Sequence, residues 1–152
     1  MKYWLMKSEP STYSIDDLKK DKKTCWDGVR NYQARNFMRD DMQVGDLILF
    51  YHSNATPPGV VGIAKVSQTA YPDHTAWDKK SRYYDARSSK DKPVWMMVDI
   101  SYVKKFSEVL SLGDLKNYPK LSKMLLLKKG TRLSIQPVTK VEFDFICTLA
   151  EK

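Results

Sequence analysis

Apolar and polar positions divide this chain into short segments with different periods. Tyr3-Trp4-Leu5-Met6 is an unbroken apolar run, the mark of a short strand buried on both faces. Ser14-Ile15-Asp16-Asp17-Leu18 reads as a helix opening, with Ser14 as N-cap and two carboxylates in the first turn. Asn31 to Met42 has helical composition, with Tyr32, Ala34, Phe37 and Met38 on its apolar side, and Gly45-Asp46 turns the chain into the strand Leu47-Ile48-Leu49-Phe50-Tyr51. A loop at Asn54-Ala55-Thr56-Pro57-Pro58-Gly59 precedes a second β-rich run from Val60 to Val66, in which Gly62 marks a bulge or a close approach.

From Tyr71 to Pro93 no period is sustained, which predicts a long excursion folded over a sheet. Val94 to Val103 resumes as a strand. Ser111 to Lys116 and Leu121 to Leu127 predict two short helices separated by Pro119, with Gly130 closing the second. Leu133 and Ile135 fit a brief strand. Thr139-Lys140-Val141-Glu142 has capping-box spacing and opens a last helix, with Val141, Phe145, Ile146 and Leu149 on its apolar side. The sum is an α+β domain on a curved, largely antiparallel sheet, read as a small barrel with helical plugs.

Composition narrows the class. One domain spanning residues 1–152 is expected, because 152 residues with 42% hydrophobic content can close a single core. A formal net charge of +8 favours an acidic polymer or surface as partner, although the Lys pairs are scattered and solubility alone would use them. Cys25 and Cys147 stand far apart without metal-ligand spacing, so reduced thiols are expected, with no metal site. The start Lys2-Tyr3-Trp4-Leu5-Met6-Lys7 does not read as a signal peptide, and no apolar run reaches bilayer length; a soluble, intracellular protein is expected.

The candidate chemistry lies in two dense polar-aromatic clusters near the start, Lys7-Ser8-Glu9-Pro10 and Trp26 to Asn36. Trp26 and Tyr32 offer flat faces, Asn31, Gln33 and Asn36 offer paired donors and acceptors, and Arg30 and Arg35 offer charge for phosphate. Together these groups suit recognition of a planar heterocycle. Core packing would use Trp26 equally well, and Lys7 to Pro10 also fits an ordinary polar turn. Tyr51-His52-Ser53-Asn54 ends a strand with hydrogen-bonding side chains that line a pocket or start the next loop. His52 and Ser53 point to opposite faces of a strand, so they do not read as a nucleophile and its base, and His74 lacks partners at metal spacing. Arg82, among the aromatics of Ser81-Arg82-Tyr83-Tyr84-Asp85, suits a surface that follows a nucleic-acid strand, or a loop tucked onto the sheet. Arg132, Ser134 and Gln136 share one face of the late strand and either reach the pocket or face solvent.

Several of these runs, in the same order, resemble the EVE domain family over nearly the whole chain. They are Tyr3 to Pro10, Trp26 to Asn36, Phe50 to Asn54, Tyr71-Pro72-Asp73, Ser81 to Asp85 and Leu133 to Val138. The resemblance implies a PUA-like fold, a small curved β-barrel with peripheral helices similar to PUA and YTH domains, and a role in reading modified bases in DNA or RNA. It implies Trp26 as a cage wall, Ser8 and Asn31 as edge-reading groups, and Asp27 and Arg30 at the rim, with further walls sought among Tyr32, Trp77 and Tyr84. The full expected base site is Lys7, Ser8, Glu9, Trp26, Asp27, Arg30, Asn31, Tyr32, His52 and Ser53, with Arg35, Arg82 and Arg132 on the backbone. The expected partner is a nucleic acid with a modified base. A monomer is expected, without cofactor, metal or membrane, in the nucleus or a bacterial cytoplasm. Two other readings stay open: an ASCH-like amidohydrolase acting on modified nucleosides through Lys7 and Glu9, and a protein-interaction module.

Overall fold

A computed structural model describes residues 1–130 and 132–151; Thr131 and Lys152, the last residue of the expected domain, lie outside the described residues. The strands are β1 (Tyr3–Ser8), β2 (Lys23–Cys25), β3 (Leu47–His52), β4 (Gly59–Pro72), β5 (Met96–Ser111) and β6 (Ile135–Val138). They form one mixed sheet in the order β2-β5-β4-β3-β1-β6, in which only the β1–β3 pair is parallel. The helices are α1 (Ile15–Asp21), α2 (Tyr32–Asn36), α3 (Leu112–Leu115) and α4 (Lys140–Ala150).

β1 up to Met6 and β3 up to Tyr51 are apolar because both faces of the sheet are covered there. Trp4, Met6, Ile48 and Phe50 face a core completed by Ile15 and Leu18 of α1, Ala34 of α2, and Trp26. Leu5, Leu49 and Tyr51 alternate to the other face, against Leu115, Leu121, Phe143 and Ile146. β4 and β5 form a long hairpin with register shifts at Val60/Gly62, Ile63/Ala64, Val66/Gln68 and Gln68/Tyr71, and these irregularities curve it. Gly62 is a close approach as well as a shift, since a Cβ there would lie 2.3 Å from the Lys104 carbonyl oxygen.

The expected closed barrel is corrected to an open curved sheet: among the described residues the edge strands β2 and β6 do not pair. Three and four residues long, they are too short to join, and the gap between them becomes the site. β5 runs eight residues past its expected end at Val103, because Lys104 to Ser111 pair with the start of β4 while one face meets solvent. The expected helix from Asn31 to Met42 is α2 followed by a π turn at Phe37–Asp41, where the Met42 amide donates to the Phe37 carbonyl. Leu121 to Leu127 is not one helix but two 3₁₀ turns, Pro119–Leu121 and Leu125–Leu127, interrupted by extended backbone at Met124. In α4 the capping box of Thr139 and Glu142 sets a rotation that buries Phe143 and leaves Val141 66% exposed, against the expected apolar side.

α1 carries a capping box of Ser14 and Asp17 and a second, distant cap: the Ile15 amide donates to His52 Nε2 at 3.1 Å. This contact holds the imidazole neutral, with its proton on Nδ1. Burial, followed by the nearby Lys105 charge, lowers the His52 pKa, with Asp16 opposing. Because the folded value lies below the unfolded one, the contribution is complete above about pH 6.5 and is lost as pH falls through the folded value. Urea midpoints should therefore drop between about pH 7.5 and pH 5. His52→Gln, whose amide oxygen still accepts from Ile15, should flatten that drop; an equally steep profile would show that His52 does not titrate on unfolding.

Candidate nucleic-acid interface

A cleft of about 780 Å³ opens where the curved sheet fails to close, within the size range of ligand sites. One side comes from the end of β1 and the approach to β6, through Ser8, Glu9, Arg132 and Ser134. The other comes from the end of β2 and the turn beyond it, through Cys25, Trp26, Asp27 and Gly28. Tyr83 and Arg82 close it from the excursion. Thus of the ten expected base-site residues, Lys7, Ser8, Glu9, Trp26, Asp27, Arg30 and Ser53 line one cleft, as do Arg82 and Arg132 of the three expected backbone residues.

Asn31, Tyr32, His52 and Arg35 are not among the lining residues. Asn31 is the N-cap of α2, its Oδ1 accepting from the Ala34 amide at 2.9 Å, so its amide is committed to the helix end. α2 then carries Tyr32 outward, where its ring stacks on Trp95 at 4.8 Å and the Arg35 guanidinium lies over it at 4.8 Å. Arg35 also donates to the Val94 carbonyl. His52 is turned to α1. Trp77 and Tyr84, the other sought walls, lie outside the cleft as well, and Gln136 is buried with its Nε2 donating to the Leu133 carbonyl.

Trp26 is a core residue with one edge on the cleft. It packs in the first core, edge to face with Phe50 at 5.7 Å, and the 9% of its surface left exposed opens on the cleft. Its amide donates to the Val98 carbonyl at 2.7 Å, extending the β2–β5 pairing by one residue and fixing where the indole stands. Ser8 shares the Met6 side of β1, and its hydroxyl donates to the Tyr13 carbonyl at 2.7 Å, leaving Oγ as an acceptor. Ser53 is held beside it by its amide, which donates to the Ser8 carbonyl. Lys7 alternates away: its ammonium lies 5.7 Å from the centroid of Tyr51, on the second-core side, and burial lowers its pKa. No described carboxylate lies within ion-pair distance of it.

Arg30 is a structural anchor rather than a free cation. Nε donates to the Tyr83 carbonyl, Nη1 to the Val29 carbonyl and Asp73, and Nη2 to Tyr83 and Thr75, so all five N–H groups are occupied. Asp73 is wholly buried and also accepts from the Gly28 and Thr75 amides at 2.9 Å. Burial alone would raise its pKa, but the Thr75 hydroxyl, the Gly28 amide and Arg30 outweigh it and hold the carboxyl below its usual value. Asp27 has no such support. Burial first, then the Asp73 charge, push its pKa up.

Tyr83 is the cleft residue the sequence reading passed over in favour of Tyr32, Trp77 and Tyr84. No local signal marks it; its place is set by Gly28, where φ is +79° and a Cβ would lie 2.6 Å from the Tyr83 ring, so this position admits no side chain. Tyr13, Thr24 and Cys25 were also missed, because nothing in their local pattern distinguishes a cleft wall from packing. Gly28→Ala should destabilise the fold by about 1–2 kcal/mol from the backbone alone, and more from the clash. Gly113→Ala, at a position with nothing within 4 Å, should be neutral or slightly stabilising. Urea denaturation of the two variants compares them directly; equal midpoints would remove the close approach of Tyr83.

The EVE domain family matches residues 2–149 of this chain. Human thymocyte nuclear protein 1 is 45% identical over an alignment that covers 99% of this chain and 74% of the relative. Among solved structures, a Pseudomonas syringae protein superposes with a TM-score of 0.94 at 50% identity, covering 97% of this chain and 99% of that one. Human THYN1 in complex with 5-methylcytosine containing DNA gives 0.93 at 44% identity, covering 100% and 99%. A Zymomonas mobilis ASCH protein gives 0.58 at 13% identity over 98% and 99%, a likeness of fold alone. Matched from end to end at this level of identity, with the cleft at the open seam of the sheet, the chain belongs to the EVE domain family.

Proposed function

We propose that this chain, acting as one domain over residues 1–152 and as a monomer, reads a modified base in nucleic acid without altering it chemically. The observation that carries the reading is a single cleft holding a tryptophan surface, polar acceptors on Ser8 and Asp27, and two arginines, Arg82 and Arg132. Those are the parts needed to stack a base, read its edge and neutralise adjoining phosphates. A homologue with 44% identity has been crystallised with DNA containing 5-methylcytosine, which makes that mark the first to test. The relatives include thymocyte nuclear protein 1, a nuclear protein by name. A nucleus or a bacterial cytoplasm, the compartments that hold chromosomal DNA, is the matching location.

The amidohydrolase reading needs a lysine and a carboxylate converging on one ligand atom. Lys7 and Glu9 both line the cleft, but the Lys7 ammonium lies over Tyr51 with no described carboxylate within ion-pair distance, which argues against that convergence. His52 and Ser53 give no alternative, since His52 Nε2 accepts from the Ile15 amide.

Removing a stacking partner costs on the order of 1–3 kcal/mol per base. Trp26→Leu, which retains part of the apolar volume in the core, should weaken binding to a 5-methylcytosine oligonucleotide by about that amount in fluorescence anisotropy, measured where its urea transition shows it folded, with the midpoint lowered by the packing lost against Phe50. Undiminished affinity in the folded variant would remove Trp26 from the site. Arg132→Ala should instead weaken modified and unmodified strands alike and lower the slope of log K against log salt by about 1. Loss confined to the modified strand would place Arg132 on the base rather than on the backbone.

A further inference from the structure

The groups that line the inner part of the cleft differ in what they have left to offer. Ser8 has given its proton to the Tyr13 carbonyl and presents lone pairs. Asp27 stands between Trp26, whose exposed surface opens on the cleft, and Gly28, against which the Tyr83 ring packs. Among the described residues its half-buried carboxylate accepts from its own backbone amide alone. The donors on its own turn are taken: Gly28 N–H goes to Asp73, and every N–H of Arg30 is used by Asp73, Thr75, Val29 and Tyr83, while His74 and Arg82 act on Asp27 through charge without a hydrogen bond to it. The fold thus satisfies one aspartate completely and leaves its neighbour open toward the ligand space. A half-buried carboxylate with one donor keeps most of its acceptor capacity unmet, and a ligand that brings an N–H to it recovers part of the cost of burial.

Bases supply such a hydrogen from an exocyclic amino group or, in thymine and guanine, from a ring N–H. Cytosine presents an amino donor at C4, and a carboxylate is its usual acceptor. Thymine has the same ring and the same 5-methyl group as 5-methylcytosine, but a carbonyl at C4. Held in the pose that points the C4 substituent at Asp27, thymine would set its carbonyl lone pairs against those of the carboxylate, and its N3–H would reach Asp27 only by a shift of the ring.

Resting on the base-reading function proposed above, we infer that Asp27 reads the edge of the bound base by accepting from an exocyclic amino group. The cleft therefore takes 5-methylcytosine and rejects thymine, its oxo counterpart. Asp27 sets specificity, while Trp26 supplies surface that both bases would use equally.

The test compares three otherwise identical single-stranded oligonucleotides, carrying 5-methylcytosine, thymine or an abasic site at one position, against the parent and Asp27→Asn. Asn keeps the shape of Asp27 but can rotate its amide to offer either a donor or an acceptor. The parent should prefer 5-methylcytosine over thymine by about tenfold to a hundredfold, and the variant should bind the two within a small factor. Parent affinities that are equal for the two bases yet above the abasic strand would overturn the role of Asp27 while leaving the base cleft standing. So would a preference that survives in Asp27→Asn. Equal binding of all three strands by the parent would remove the base-reading function itself, and this inference with it.

Discussion

The cleft depends on one buried carboxylate. Asp73 has no exposed surface, and it gathers the Gly28 amide, the Arg30 guanidinium and the Thr75 amide and hydroxyl around itself. Gly28 and Arg30 belong to the turn that carries Trp26 and Asp27, while Asp73 and Thr75 open the excursion that carries Arg82 and Tyr83. A single charged group therefore joins the two walls. Stranding one member of such a buried pair costs about 3–5 kcal/mol, far more than any surface ion pair in the molecule would. The excursion is closed again where the Asp73 amide donates to the Trp95 carbonyl and the Trp95 indole donates to Asp85. A loop so tied behaves as a wall, not as a flap.

The sheet supplies the other half of the design. Two cores, one on each face, hold β1 and β3 rigid, and the shifted register of β4 and β5 bends the outer strands toward each other without closing the circle. The open seam keeps unpaired edges short, so the exposed backbone is limited to three- and four-residue strands. It also brings residues more than one hundred positions apart, Trp26 and Ser134, to one cavity. Cleft and core share residues here: Trp26 is core on one side and cleft surface on the other, and Arg30 is spent wholly on holding the walls.

What the residues reveal on their own is uneven, for physical reasons. β1, β3 and the start of β4 are legible because burial on both faces demands unbroken apolar runs. Caps at Ser14 and Thr139 are legible because they are local. The far end of β5 is not, since its polar residues pair with a strand whose position only the tertiary fold determines. At the site, Ser8, Trp26 and Asp27 could be singled out because polar groups beside aromatics are poor core material. Asn31 and Tyr32 had the same composition, yet helix geometry turns the first into a cap and the second onto Trp95. Tyr83 required knowing what fills the space above Gly28, which is a contact between segments some fifty residues apart and leaves no local pattern.

The central claim is that a base leaves its stack and enters the seam of the sheet. A crystal structure of the protein with an oligonucleotide containing 5-methylcytosine tests this most directly. The account predicts the modified ring in the cleft against Trp26, with its amino group toward Asp27 and the flanking phosphates near Arg82 and Arg132. A complex in which that base stays stacked on its neighbours while the protein touches only phosphates would contradict it.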